Sequence, residues 1–398
     1  MTGEPIGAAA GVTRTAVIFA LLWLAGAGMR LTILAVPPVL PLIHAELALT
    51  ATEIGLLASL PVALFALAAL PGSLLVARLG TRTTLIGGLA IVAIGSGLRG
   101  LSLSAAELYA TTILMGSGVA ILQPTLPAIV RQWLPERIAF GTAIYTNGLI
   151  MGEIVPVMLT LSLVLPLAGD WRRDLAAWSL PVALTALLVA LLAPRGQALS
   201  AAATAPSRRW WPNWQKPLIW RLGLLFGCIN SLYFGINAFL PDYLTAGGRG
   251  ALIGPALTAF NFGQLPASLL LLPLARRSER RAWPYLVAAL LDIAGLVALV
   301  TLDSQWIVAA AGLLGFAVGG SFILGLTLPP LLSAPEEVAM NSAAVFTVSY
   351  AGAVAVAIVS GAIWDVTGVP TLVFAPMLLA SLGLAGAARL MRRTGGLR

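Results

Sequence analysis

Charged side chains are scarce in this chain. They make up 10% of its 398 residues, whereas hydrophobic residues make up 59% and the mean hydropathy is +0.96. A soluble domain has about 25% charged residues, so this composition excludes an ordinary soluble protein. Because lipid-embedded backbone must satisfy its own hydrogen bonds, and ten-residue alternation of barrel strands is missing, the sequence predicts an all-α membrane protein.

Cysteine and histidine are almost missing as well. One cysteine and one histidine exclude an internal disulfide framework. The sequence also has no cluster of metal ligands, no phosphate-binding loop and no nucleophile motif. We therefore expect no enzymatic activity, no cofactor and no metal site. Without a phosphate-binding loop, any work that the protein does across a membrane is expected to use a solute or proton gradient rather than ATP.

Twelve apolar spans follow from a hydropathy window of ~19 residues. They lie near residues 15–43, 53–75, 83–103, 106–131, 138–165, 174–193, 217–244, 250–274, 283–302, 305–331, 338–364 and 369–391. The least apolar stretch separates the sixth span from the seventh. We predict one six-helix bundle at residues 1–194, a cytoplasmic linker at 195–216 and a second six-helix bundle at 217–398.

The basic residues predict the orientation in the membrane. Of the 23 lysines and arginines, 18 fall on one side of the predicted spans, four on the other, and Arg30 within a span. Positively charged loops remain in the cytoplasm, so we expect a multi-pass protein of the cytoplasmic (inner) membrane with both termini cytoplasmic. This distribution also argues against nucleic-acid binding, despite the net charge of +8.

The two halves of the sequence resemble each other at an offset near 200 residues. The matches are PERIA at 135–139 with PEEVA at 335–339, TLP at 125–127 with TLP at 327–329, and LP at 40–41 with LP at 240–241. Six spans repeated in the same orientation are typical of secondary transporters that bind their substrate at the midplane, between the two halves.

The loop after the second span carries a degraded form of a known signature. Residues 73–82 read SLLVARLGTR, with Ala77 where the signature Gly-x-x-x-Asp-Arg-x-Gly-Arg has its aspartate. In this loop and in its twelve spans the chain resembles the major facilitator superfamily. The resemblance implies the major facilitator fold, two six-helix bundles that transport by alternating access.

Further stretches resemble the cyanate/2-nitroimidazole transporter family. Residues 28–39, GMRLTILAVPPV, partly match that family's Asn-Leu-Arg-Pro-x-x-Thr-Ser-Val-Gly-Pro-Leu, retaining Arg30, Val36 and Pro38. Also similar are LPAIVRQWLP at 126–135, NS at 230–231 with AFLP at 238–241, and GFAVGGSF at 315–322. The asparagine and the Thr-Ser pair of the first motif are not retained.

Arg30 carries a charge into the first span, where an arginine costs roughly 2.5–3.5 kcal/mol. Glu153 is the carboxylate that we expect to offset this cost. The two residues lie about 22 and 21 Å from the cytoplasmic ends of their spans at 1.5 Å per residue, and the resemblance to the major facilitator superfamily implies that the first and fifth spans are neighbours. The planar guanidinium of Arg30 suits a carboxylate or a similar anion, so we predict it to be the anion anchor. Glu153 is either a proton-coupling residue or a permanent structural partner.

Other mid-span residues are candidates for the substrate site, since the resemblance implies that spans four, five, seven and eight line the cavity. They are Gln123, Asn147, Tyr233, Asn237, Asn261 and Gln264, with Phe260 and Tyr350 as aromatic walls. The alternatives are hydrogen bonds between helices for the polar residues and simple packing for the aromatic ones. His44, near the outer end of the first span, is interpreted as a solvated interfacial residue, with a proton sensor as the alternative.

These observations favour a secondary active transporter of a small organic or inorganic anion. The alternative is an exporter of neutral or cationic hydrophobic compounds, such as drugs or nitroaromatics, in which Glu153 neutralises Arg30. The expected partners are the small-molecule substrate, the lipid bilayer, and protons or a counter-substrate. We expect a monomer.

The orientation can be tested with cysteines introduced at Thr2 and Gly396. Both should resist a membrane-impermeant thiol reagent in intact cells, because both termini are predicted to be cytoplasmic. Labelling after permeabilisation is the control that each cysteine is reactive. Ready labelling of either position in intact cells contradicts the predicted topology.

Overall fold

The computed structural model describes residues 6–194, 212–278, 280–334 and 337–397, which are largely helical. Most of the predicted linker (195–211), Thr2 and residues 335–336 of the second repeat lie outside the described residues. The helices are α1 (Ile6–Leu34), α2 (Val36–Leu47), α3 (Ala51–Leu79), α4 (Thr81–Arg99), α5 (Ala105–Trp133), α6 (Ile138–Leu159), α7 (Leu165–Ala168), α8 (Trp171–Ala177), α9 (Ser179–Leu192), α10 (Pro217–Ala246), α11 (Ile253–Phe262), α12 (Gln264–Ser278), α13 (Trp283–Thr301), α14 (Gln305–Leu332), α15 (Val338–Thr367) and α16 (Ala375–Arg393).

Each of the twelve predicted spans coincides with one or more of these helices, which confirms the all-α membrane class. Within the described residues, ten helical stretches are long and apolar enough to cross a bilayer. The two remaining predicted spans, 53–75 and 250–274, coincide with α3 and with α11 followed by α12.

The first predicted span is interrupted, because α1 ends at Leu34 and α2 begins at Val36. Pro37 and Pro38 account for the break, since neither can donate a backbone hydrogen bond to the carbonyl four residues before it. Proline is compatible with the first turn of a helix, so α2 starts directly after the break.

Arg99 stabilises the end of α1. Its guanidinium donates to the carbonyl oxygen of Thr32 at 2.6 Å and to the hydroxyl of Ser96 at 2.9 Å. The C-terminal end of a helix carries partial negative charge, which favours a cation there. From the sequence we counted Arg99 among the four basic residues on the non-cytoplasmic side, and in the structure it is buried, with only 1% of the residue exposed.

The chain forms two compact units. The first contains the described parts of Met1–Ala35, Leu67–Pro156 and Val164–Ala205; the second contains the described parts of Val36–Ala66, Val157–Leu163 and Pro206–Arg398. In the second unit α10 packs against α15 and α16 and is buried along most of its length. The predicted division into bundles at 1–194 and 217–398 stays a prediction, since α2 and the first part of α3 belong to the second unit.

In the first unit, glycines bring α1 and α6 into close contact. A methyl group at Gly148 would collide with the carbonyl oxygen of Trp23, and one at Gly152 with that of Ala27. The same seam recurs in the second unit, where Gly352 of α15 faces Gly227 of α10. Both residues of this second contact lie 200 positions after Gly152 and Ala27, which extends the sequence repeat to helix packing.

We predict opposite effects for alanine at two helical glycines of the first unit. Gly148→Ala should lower the unfolding temperature, because overpacking against backbone costs about 1–3 kcal/mol. Gly87→Ala in α4 should raise it slightly, since alanine favours a helix by about 1 kcal/mol and its methyl group would have no heavy atom within 4 Å. Thermal unfolding of the purified proteins measures both. Equal stability of the two variants contradicts the close contact of α1 and α6.

Candidate functional site

The buried ion pair that we expected from the sequence is present in the first unit. Arg30 Nε lies 3.4 Å from Glu153 Oε1, and the two side chains are 13% and 11% exposed. The close contact of α1 and α6 positions the pair, because Gly152 directly precedes Glu153 and packs on the backbone of Ala27, one turn before Arg30. The pair relieves the cost of burying each charge separately.

Asn147 lies on the same seam, about two turns before Glu153 on α6. The indole nitrogen of Trp23 donates to its side-chain oxygen at 2.8 Å. Asn147 is otherwise exposed. Because polar groups within membrane spans generally face the bundle interior or a water-filled cavity, it stays a candidate for the substrate site. We did not predict a role for Trp23, although it is the tryptophan that lies well inside the first span, away from the interfacial positions where tryptophan is common.

Gln123 lies on α5, half-buried and directly before Pro124. The first unit therefore holds four predicted site residues on α1, α5 and α6, of which two form an ion pair.

The predicted polar residues of the second unit form one hydrogen-bonded network. The Tyr233 hydroxyl donates to the side-chain oxygen of Asn261 at 3.1 Å, and the Asn261 amide donates to the side-chain oxygen of Asn237 at 3.0 Å. Asn237 in turn donates to the Tyr233 carbonyl at 2.9 Å. Gln264, three residues after Asn261, donates its side-chain amide to the Asn261 carbonyl at 3.4 Å. In this arrangement the amides satisfy one another, as buried polar groups do.

Aromatic rings surround this network. Phe260 stacks on Tyr233 with ring centroids 5.9 Å apart, and Tyr233 meets Phe234 edge to face at 5.1 Å. Phe234 also meets Tyr350 edge to face, with ring centroids 6.5 Å apart, and Tyr350 stacks on Phe346 at 5.8 Å. The site residues predicted for the second half of the chain are therefore linked to one another by hydrogen bonds or ring contacts. They are Tyr233, Asn237, Phe260, Asn261, Gln264 and Tyr350.

The second unit has a neutral counterpart of the ion pair. Asn230 lies 200 positions after Arg30, on α10, and its amide donates to the hydroxyl of Ser349 on α15 at 2.7 Å. α10 and α15 occupy the places in the repeat that α1 and α6 occupy in the first half. The charged pair is therefore restricted to one of two related helix pairs.

His44 is not simply solvated, contrary to our interpretation of the sequence. Its Nδ1 lies 3.2 Å from Asp242 Oδ2, and the two side chains are 33% and 6% exposed. We did not single out Asp242 from the sequence. The available signal was its place directly after Leu240-Pro241, the repeat counterpart of Leu40-Pro41.

The described helices define a polytopic helical membrane protein with polar groups on facing helices of each unit. The profile of the Major Facilitator Superfamily matches residues 18–251, and the chain belongs to this superfamily. It is therefore a multi-pass membrane protein of a family of transporters.

Three similar proteins illustrate the relationship. The chain is 29% identical over 310 residues to the cyanate transport protein CynX of Escherichia coli (strain K12), covering 77% of this chain and 79% of that protein. It is 27% identical over 343 residues to the 2-nitroimidazole transporter of the same organism, covering 85% and 86%. A bacterial homologue of the human lysosomal transporter Spinster shares the fold, with a TM-score of 0.76, 18% identity, and coverage of 97% and 98%. The resemblance to the cyanate/2-nitroimidazole family is confirmed.

The ion pair predicts a strongly non-additive mutant cycle. Arg30→Met and Glu153→Met should each destabilise the protein by about 3–5 kcal/mol, because each leaves a buried charge without its main partner. The double variant should be much closer to the parent protein. Thermal unfolding of the four proteins in one detergent measures the coupling. Additive effects would mean that the two side chains do not interact.

Proposed function

We propose that the protein is a secondary active transporter of a small organic or inorganic anion, with Arg30 as the anion anchor and Glu153 as its exchangeable partner. The observation that carries the proposal is the Arg30–Glu153 pair on facing helices. A guanidinium held by a carboxylate already presents the geometry that a small anion would use.

The contrast with Arg99 supports an exchangeable role for Arg30. Arg99 is 1% exposed and donates to a backbone carbonyl and a hydroxyl within its own unit, as a structural arginine does. The Arg30 side chain is 13% exposed and faces a carboxylate. An incoming anion can therefore compete with Glu153 for Arg30, whereas Arg99 is almost fully enclosed by the protein.

The mechanism we infer is an exchange of partners. The anion takes the guanidinium of Arg30, and Glu153 is left in a poorly solvated site without its cation. An unpaired carboxylate is costly there, so Glu153 takes up a proton, and the two events couple anion binding to proton binding. Alternating access then exposes the loaded site to the other side of the cytoplasmic membrane, where the anion and the proton leave. Proton coupling in this form needs no other titratable group.

The relatives agree with an anionic substrate, since one is a cyanate transport protein. A second candidate function is export of neutral aromatic or other hydrophobic compounds, as drug or nitroaromatic efflux. Two observations favour it: Glu153 neutralises Arg30 in this arrangement, and the aromatic rings from Phe260 to Tyr350 offer apolar surface next to amide groups. Another relative is a 2-nitroimidazole transporter.

Ligand-dependent thermal shifts of the purified protein separate the two candidates. Cyanate or another small anion should raise the unfolding temperature, with about 2.7 kcal/mol of stabilisation at 100 times its Kd. Arg30→Lys and Arg30→Ala should abolish the shift, because a point charge does not replace the bidentate fork. Arg249→Ala, which removes an arginine paired with exposed Asp303, is the matched control and should keep it. Full anion binding by folded Arg30→Ala overturns the anchor, and shifts with nitroaromatics alone favour the second candidate.

Glu153→Gln tests the exchange itself. The exchange mechanism predicts that anion binding is retained while transport loses its dependence on pH, because an amide cannot carry the proton. A permanent structural pair predicts a poorly folded protein instead. Binding in detergent and uptake by proteoliposomes at two pH values measure the two properties separately.

A further inference from the structure

The segment 36–66 belongs to the first half of the sequence, yet it lies in the second unit. Two polar contacts and two glycines attach it there. α2 packs against α10 and α11, and the start of α3 packs against α15, where Gly361 faces the backbone of Ala51 and Gly55 faces the carbonyl of Ala357. Such close backbone approach requires the absence of a side chain at both glycines.

The first polar contact is a helix cap supplied by another helix. The first N–H groups of a helix have no acceptor within it. At the start of α3, Thr50 and Glu53 satisfy each other's backbone N–H groups at 2.7 and 3.2 Å as a capping box. The remaining two, of Ala51 and Thr52, donate to the two carboxylate oxygens of Asp365 on α15, at 2.7 and 2.8 Å.

The second polar contact is the His44–Asp242 pair at the end of α2, at 3.2 Å. Asp242 of α10 is almost fully buried, whereas a third of the His44 side chain reaches solvent, so protons can reach the imidazole. Asp365 also interacts electrostatically with His44. Two further acidic residues lie nearby in sequence, one on α2 (Glu46) and one on α3 (Glu53), and α11 has no charged residue in its sequence.

We propose that these contacts form a proton-sensitive latch, which holds segment 36–66 against α10 and α15. Asp365 attaches the segment through the helix cap whether or not His44 is protonated. Protonated His44 adds an attraction to the carboxylates of Asp242 and Asp365, and neutral His44 does not. Histidine changes its charge between about pH 5 and 8. Acid on the side of the membrane where His44 lies therefore tightens the latch, and alkaline conditions loosen it.

The latch acts at a place that the substrate proposal does not use, since Arg30 and Glu153 lie in the other unit. It makes the release of segment 36–66 depend on the proton concentration outside the cell, if the termini are cytoplasmic as predicted. The side chains of His44, Asp242 and Asp365 contribute to holding this part of the first half of the sequence in the second unit.

Distance measurements between two spin labels test the latch without any substrate. The labels are attached at Ala45→Cys on α2 and Thr245→Cys on α10, both exposed positions, in full-length Cys228→Ala protein in nanodiscs. Double electron–electron resonance at pH 5.5 and 8.5 gives the ratio of molecules in which segment 36–66 is packed on α10 to molecules in which the two are separated. We expect that ratio to be about fivefold higher at pH 5.5, a coupling typical of such switches.

Variants assign the effect to its residues. His44→Gln should hold the ratio near its value at pH 8.5 whatever the pH. Asp242→Asn should lose most of the pH dependence, because only the weaker attraction of Asp365 to protonated His44 remains. Asp365→Asn should lower the ratio at both pH values and keep part of the pH dependence, because it weakens the cap. Asp303→Asn, which changes an exposed carboxylate on the loop after α13, is the control and should behave like the parent. A ratio independent of pH in the parent, or unchanged pH dependence in folded His44→Gln, overturns the proposal.

Discussion

A charged group that is removed from water must either meet a partner or give up its charge. Burying an isolated ion costs several kcal/mol even after the protein relaxes, so the position of each buried charge constrains the helices around it. Arg30 requires Glu153 and therefore requires α6 beside α1, and the glycines of α6 allow that approach. Arg99 is held in a different way, by the carbonyl at the end of α1, where the proline pair has ended the helix.

The two units use this constraint differently. In the first unit, the helix pair α1 and α6 carries a cation and an anion. In the second unit, the related pair α10 and α15 carries an amide and a hydroxyl. The second unit also contains a network of amides and aromatic rings on α10 and α11. The two halves of the repeat thus share glycine contacts at corresponding places, while the side chains beside those contacts differ in chemistry. The charged half suits recognition of an anion or movement of a proton, and the neutral half suits an organic ring or simple packing.

Much of this organisation was predictable because it depends on short-range rules. Spans are set by runs of apolar residues, and each of the twelve has its helix. The contact of Arg30 with Glu153 was expected because the two residues lie at similar depths, the family resemblance implies that their spans are neighbours, and an unpaired buried charge is costly. The predictions failed where a residue's environment came from a distant part of the chain. Arg99 lies near the outer end of its predicted span, 83–103, and only the packing of α4 against α1 makes it a buried residue. His44 was assigned to solvent because its partner, Asp242, is about 200 residues away.

The sequence by itself determined the membrane class, the twelve spans, the repeat and the identity of the charge that most needs a partner, since hydropathy and the cost of burial act on each segment separately. Only the tertiary structure decided which partners meet. Whether Tyr233, Asn237 and Asn261 face a ligand or one another depends on the approach of α10 to α11, and whether Asp365 is a loop carboxylate or the cap of α3 depends on contact between residues 313 positions apart. Such contacts leave no periodicity in the sequence, because geometry between helices rather than order along the chain creates them.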